Sequence, residues 1–122
     1  MPEQKPRRPA DPLYQLLREG RYDEFTRRRK AGETCDLRGC DLRGIDLCEV
    51  DIADLDLSDS YLRQADLRGL DLRRCRMEGA SLHGAHVSGA FFPADLAPEE
   101  IEMSVRLGTR MRYRVPLGRS AE

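Results

Sequence analysis

The chain has 122 residues, a length suited to one domain with short accessory ends. Charged residues make up 35% of it and aromatic residues 6%, with no tryptophan, so a conventional core of large rings is excluded, while 39% hydrophobic residues argue against a disordered chain. The formal net charge of -1, from 21 basic and 22 acidic residues, excludes a strong overall electrostatic field for nucleic acid or for polycations.

Membrane and export signals are missing from the sequence pattern. No stretch approaches the roughly 20 apolar residues of a membrane-spanning helix, and the first dozen residues lack the apolar centre of a signal peptide. We therefore expect a cytoplasmic protein without a membrane segment.

The N-terminal third predicts a disordered tail followed by a helical cap. Residues 1–10 are the tail, and residues 11–34 the cap. Asp11 is placed to cap a helix that begins at Pro12, carries an apolar stripe and stops at Gly20. A second helix is predicted from Arg21 to Ala31.

The second predicted helix ends in the basic run Arg27 to Lys30. Such a run fits either a nucleic-acid surface or a solvated helix face near a C-terminus, where positive charge is favoured. We favour the solvated face.

A period of five runs through residues 35–94 without a gap, for twelve units. The central position of every unit is apolar: Leu37, Leu42, Leu47, Ile52, Leu57, Leu62, Leu67, Leu72, Met77, Leu82, Val87 and Phe92. Two positions earlier lies a column of small or apolar residues, interrupted only by Ser60, and aspartate is frequent between the two columns. These twelve central residues are the predicted structural core.

Each unit therefore alternates inward, outward and inward over three residues, as a minimal strand does. Glycine is frequent at the remaining positions, where the chain must bend. A chain that bends every five residues and keeps one side inward must coil, which predicts an all-β solenoid with α-helical caps at both ends.

The units Cys35-Asp36-Leu37-Arg38-Gly39 and Ala65-Asp66-Leu67-Arg68-Gly69 resemble the A-(D/N)-L-x-x motif of the pentapeptide-repeat family. The resemblance implies a right-handed quadrilateral β-helix with four units, or twenty residues, in each coil. Twelve units would then make about three coils.

Residues 95–122 predict a C-terminal helix and a basic tail or strand. The helix opens at Pro98 with two glutamates and ends before Gly108. From Thr109 to Val115, apolar residues alternate with arginines, a pattern typical of a strand with a charged face. That face could bind an anion or protect an edge, and we favour protection.

Catalytic, metal and cofactor sites are not predicted. Ser81, His83, His86 and Ser88 are the one cluster that could supply a nucleophile and a base, and its histidines are expected to point outward from adjacent faces without an orienting carboxylate. The four cysteines show neither a C-x-x-C pair nor metal-ligand spacing with the histidines, so we interpret them as free thiols.

Charged side chains twenty residues apart are expected to stack on the same face. They form the candidate partner-binding surface: Asp46, Asp51, Asp66, Asp71, Arg43 and Arg63. We therefore predict a non-enzymatic scaffold that binds a protein partner and does not bind nucleic acid directly. The sequence leaves open the partner's identity and the oligomeric state.

The resemblance also implies an alternative function. Some pentapeptide-repeat proteins are similar to duplex DNA in shape and charge and bind DNA gyrase, protecting it from quinolones or inhibiting it. Here the repeats carry seven basic and eleven acidic residues, a net charge of -4. Duplex DNA carries about one negative charge per 1.7 Å, roughly eight over the predicted 14 Å of three coils, so we rank DNA mimicry second.

Overall fold

A computed structural model of the chain describes residues 5–48, 50, 52 and 54–114. Within these residues there are three α-helices: α1 (Pro12–Arg18), α2 (Tyr22–Lys30) and α3 (Pro98–Leu107). The two N-terminal helices pack against each other, and α3 follows the repeats. None of these helices has both the length and the apolar character needed to cross a membrane.

Local chemistry explains where the helices begin and end. The side chain of Asp11 accepts hydrogen bonds from the backbone N–H groups of Leu13 and Tyr14, at 2.8 and 3.2 Å, which satisfies donors that the first turn of α1 leaves unpaired. At the other end of the chain α3 stops at Gly108, whose φ of 79° lies in the left-handed region.

Between the helices, residues that are twenty apart lie side by side. Single parallel bridges join Asp46 to Asp66 and Asp66 to His86, and four more bridges in the repeats have the same spacing. At one such point the N–H of Leu67 donates to the carbonyl of His86 at 2.8 Å, while the N–H of His86 donates to Ala65 at 2.9 Å. Successive twenty-residue turns of the chain are therefore in register.

The predicted all-β solenoid, a right-handed quadrilateral β-helix, is wrong for the described residues, which contain isolated bridges and no β-strand or sheet. The physical reason lies in the length of the unit. Among the described units, none has more than one bridged residue except the unit that begins at Cys40, where Cys40 and Asp41 bridge different partners. A turn separates successive bridged residues, as where the N–H of Ala65 donates to the carbonyl of Leu62 at 3.0 Å. A strand needs consecutive paired residues, and the turns interrupt every candidate.

The core runs through the repeats and is continuous with the N-terminal helices. Ten of the twelve central residues are buried, whereas Val87 and Phe92 at the end of the repeats are half-buried. Ser60, the polar residue in the second column, is fully buried, and its hydroxyl donates to the carbonyl of Leu57 at 2.7 Å. That bond compensates the cost of placing a hydroxyl in an apolar core.

The N-terminal segment covers the first turn of the repeats. Arg7 pairs in parallel with Cys40, and the buried hydroxyl of Tyr14 donates to the carbonyl of Asp41 at 2.7 Å. These contacts satisfy backbone groups that the first turn would otherwise expose at its edge.

The C-terminal segment covers the last turn. The N–H of Leu82 donates to the hydroxyl of Ser104 at 2.9 Å, and the N–H of Gly79 donates to the carbonyl of Met111. Arg110 forms a single antiparallel bridge with Ser81, and residues 109–114 contain no strand. Val115, the end of the predicted strand, lies outside the described residues.

Candidate interaction surfaces

Outward side chains of the repeats form rows, because the backbone register repeats every twenty residues. Asp46, Asp66 and His86 follow one another in such a row, joined by two successive bridges. Asp46 and Asp66 are half-buried and His86 is exposed. The predicted stacking of Asp46 with Asp66 therefore corresponds to adjacent positions in the structure.

Four aspartates of the repeats are paired with the arginine of their own unit. The carboxylate of Asp66 accepts two hydrogen bonds from the guanidinium of Arg68, at 2.7 and 2.9 Å, and one from its backbone N–H at 3.1 Å. Equivalent two-pronged pairs are formed by Asp36 with Arg38, Asp41 with Arg43, and Asp71 with Arg73. These pairs were not predicted from the sequence, although the repeated D-L-R spacing carries the signal, because an inward leucine separates two outward groups.

The pairing changes the acidity of the aspartates. Hydrogen bonds from Arg38 lower the pKa of Asp36 to about 2, and Arg73 lowers the pKa of Asp71 to about 2 in the same way. At Asp41, burial raises the pKa, but the hydrogen bonds from Arg43 and Arg8 outweigh burial, so the net shift is downward. The carboxylates therefore stay ionised at neutral pH, and the neighbouring guanidinium groups balance their negative charge.

Three ligand-type side chains meet beside this row. One ligand atom from each of Asp46, Cys48 and Asp66 lies within 4.8 Å of the others. The Cys48 thiol donates to a carboxylate oxygen of Asp66 at 3.3 Å, and burial together with both carboxylates raises its pKa to about 11. Asp66 is also paired with Arg68, so its carboxylate already has two side-chain partners within the protein.

The other described residues of the candidate partner-binding surface lie outside the row of Asp46, Asp66 and His86. Asp71 is exposed and bridges Phe91, while Arg43 and Arg63 are exposed on adjacent turns. The N–H of Gly44 donates to the carbonyl of Arg63 at 2.9 Å, which sets that adjacency. Asp51 lies outside the described residues.

Within the predicted serine and histidine cluster, Ser81 and His86 lie in different rows. Ser81 bridges Tyr61, whereas His86 bridges Asp66. The hydroxyl of Ser81 donates to the carbonyl of Gly108 at 2.9 Å, so its proton is directed to a backbone acceptor. His83 packs beside Gly108 at the start of the C-terminal segment.

A groove along one corner of the repeats was not foreseen from the sequence. We call it the corner groove. It consists of two open depressions of about 580 and 370 Å³ that share Asp59 as a common wall. Its basic lining residues come from three parts of the chain: Lys5, Arg7, Arg38, Arg76, Arg110 and Arg112.

The regular twenty-residue register, the single core and the rows of outward side chains define a repeat protein built from five-residue units. Residues 34–69 and 56–92 match the family model for pentapeptide repeats, with eight copies. The repeats of the chain are therefore pentapeptide repeats, as their motif indicated. No curated protein and no solved structure matches the chain.

Proposed function

We propose that the chain is a non-enzymatic scaffold that binds a protein partner through charged side chains of its repeats. The family supports a repeat-protein scaffold. The observation that carries the proposal is the row Asp46, Asp66 and His86, where the backbone bridges hold titratable and charged groups at a fixed spacing. Such rows suit recognition of a complementary surface, because the side chains are ordered before the partner arrives.

The non-enzymatic part of the proposal is supported by the chemistry around the serines and histidines. A serine nucleophile needs a base that receives its proton, and the Ser81 hydroxyl is bonded to a backbone carbonyl instead.

Affinity capture tests the scaffold. The purified chain is used as bait in a lysate of the source organism, in parallel with Asp46→Ala/Asp66→Ala and with Glu19→Ala/Asp95→Ala, a control that removes two exposed carboxylates from outside the repeats. We expect a partner that the wild type and the control retain and that the row variant loses. Absence of any reproducible partner, with a bait shown to be folded, would contradict the proposal.

DNA mimicry directed at DNA gyrase is the second candidate, and the stacking of Asp46 on Asp66 is the observation that favours it. The pairing of Asp66 with Arg68 and of Asp71 with Arg73 counts against it, because a paired carboxylate contributes little negative potential. A gyrase supercoiling assay with and without a quinolone, titrated with the purified chain, separates the two functions. We expect no inhibition and no protection; either effect at low micromolar protein, abolished by Asp46→Ala/Asp66→Ala, would reverse the ranking.

A further inference from the structure

We infer that the corner groove is a binding site for an extended acidic segment of a partner protein. The inference rests on the proposed scaffold function and names both the surface and the chemistry of its partner. It also specifies the charge of the partner, which contributes the negative groups at this surface while the groove contributes the positive ones.

The lining of the corner groove is mainly basic. Six basic residues face three acidic residues, Asp36, Asp59 and Glu78, an excess of three positive charges. The repeats as a whole have a net charge of -4, so the groove is a basic strip on an acidic segment. A local excess of this kind attracts a ligand of opposite charge.

Three of these six cations are already paired. Arg7 and Arg38 lie 3.5 and 2.9 Å from Asp36, and Arg110 lies 3.4 Å from Asp59. Lys5, Arg76 and Arg112 are exposed, and among the described residues no carboxylate lies within ion-pairing distance of them. Unpaired cations offer a ligand their full charge without an internal bond being broken.

The walls of the groove are held in place before a ligand binds. Arg7 donates to the carbonyl of Arg38 at 2.8 Å, and Arg110 donates to the carbonyl of Gly79 at 3.1 Å. The guanidinium of Arg110 also lies 5.0 Å from the ring centroid of Tyr61 and donates to its hydroxyl. These contacts fix the walls, which reduces the entropy lost on binding.

The shape favours an extended peptide over a single anion. Residues 39, 59 and 79 occupy successive turns, with the N-terminal segment on one side of them and the C-terminal segment on the other. Because neighbouring turns are about 4.8 Å apart, the cations from Lys5 to Arg112 extend over roughly 20 Å, the length of about six extended residues. A nucleic acid would continue beyond the groove along the repeats, whose net charge of -4 would repel its phosphates.

Fluorescence anisotropy tests the inference with a labelled hexaglutamate peptide and a hexaglutamine peptide of equal length. The groove variant is Arg76→Gln/Arg112→Gln, which removes two cations that have no carboxylate partner among the described residues. The matched control is Arg27→Gln/Arg106→Gln, which removes the same charge from exposed residues outside the groove and outside the repeats. Circular dichroism verifies that both variants are folded.

We expect the hexaglutamate peptide to bind the wild type and the control within a factor of two of each other, and the groove variant about tenfold more weakly at low salt. The hexaglutamine peptide should not bind. Equal weakening in both variants, or no preference for glutamate, would overturn the inference. So would tighter binding of a single-stranded oligonucleotide of equal charge, which would assign the groove to nucleic acid.

The same variants separate this inference from the scaffold. A partner captured equally well by the wild type and the groove variant contradicts the role of the groove and leaves the scaffold intact. Failure of every bait to capture a partner contradicts the scaffold, whereas the anisotropy result still decides whether the groove binds an acidic peptide.

Discussion

Gly79 and Gly69 occupy the same position of their five-residue units and have φ angles of 84° and 72°, in the left-handed region. A Cβ added at Gly69 would meet nothing within 4 Å, whereas a Cβ at Gly79 would lie 2.0 Å from a carboxylate oxygen of Asp59. Gly69→Ala should therefore cost about 1 kcal/mol of unfolding free energy from backbone strain, and Gly79→Ala about 2 kcal/mol because the side chain of Asp59 must also move.

Urea denaturation measures both costs. Repeating Gly79→Ala in an Asp59→Gly background removes the steric contact, so its cost should fall to about that of Gly69→Ala. An unchanged cost in that background would show that the contact with Asp59 is unimportant.

Asp71 illustrates how a neighbouring arginine sets the acidity of a repeat aspartate. Its pKa is lowered from 3.8 to about 2, first by the side-chain hydrogen bonds from Arg73. Since the folded pKa lies below the ordinary value, the pair contributes to stability above about pH 4, and this contribution is lost as the pH falls toward 2. In Arg73→Gln we expect the pKa of Asp71 to rise toward 3.8.

Carboxyl carbon NMR across pH 1.5 to 6 is the measurement for Asp71. Arg63→Gln is the control, because Arg63 lies in another row and should leave the Asp71 titration unchanged. A titration of Asp71 that is the same in Arg73→Gln and in the wild type would show that the pair does not form in solution.

At the scale of elements, α3 is attached to the last turn of the repeats through a buried hydroxyl. Ser104 is fully buried, accepts from the N–H of Leu82 and donates to the carbonyl of Thr109 at 2.6 Å. Ser104→Ala leaves the buried N–H of Leu82 and the carbonyl of Thr109 without this partner and should lower the free energy of unfolding by about 1 to 3 kcal/mol. Thermal and urea unfolding measure the loss.

Glu102→Ala is the matched control in α3, since Glu102 is exposed and is expected to change stability by less than about 0.5 kcal/mol. If Ser104→Ala were as mild as Glu102→Ala, α3 would not be held to the repeats by this hydroxyl.

At the scale of the whole molecule, stability depends on one continuous core that joins the N-terminal helices to the repeats. Leu67 is fully buried in the middle of it. Leu67→Asp places an unpaired carboxylate there, at a cost comparable to the total stability of a small domain, about 5 kcal/mol or more. The variant should lose its cooperative thermal transition, while Arg63→Asp, at an exposed position in the preceding five-residue unit, should retain it.

Calorimetry or circular dichroism follows that transition. A folded, cooperatively melting Leu67→Asp would mean that the inward column is not the core of the molecule in solution.

The family and the inward positions could be predicted from the sequence because they follow from a strictly local pattern. A period of five places Leu37 and its equivalents on one side, whatever the rest of the chain does. The same pattern led to a wrong prediction of strands, since strand formation requires consecutive paired residues and the turn after each bridge, as between Leu62 and Ala65, prevents it.

The arrangement of charges on the surface depends on tertiary structure much more than the inward positions do. The pairing of Asp66 with Arg68 is local and its spacing is present in the sequence, but the corner groove is not local. Lys5, Arg76 and Arg112 come from three separated segments, and they line one groove only because the N-terminal segment pairs with the first turn and the C-terminal segment covers the last. Charge periodicity along the chain carries no information about which terminal segment will pack against which edge, because those contacts are set by unpaired backbone groups and the shape of the folded repeats.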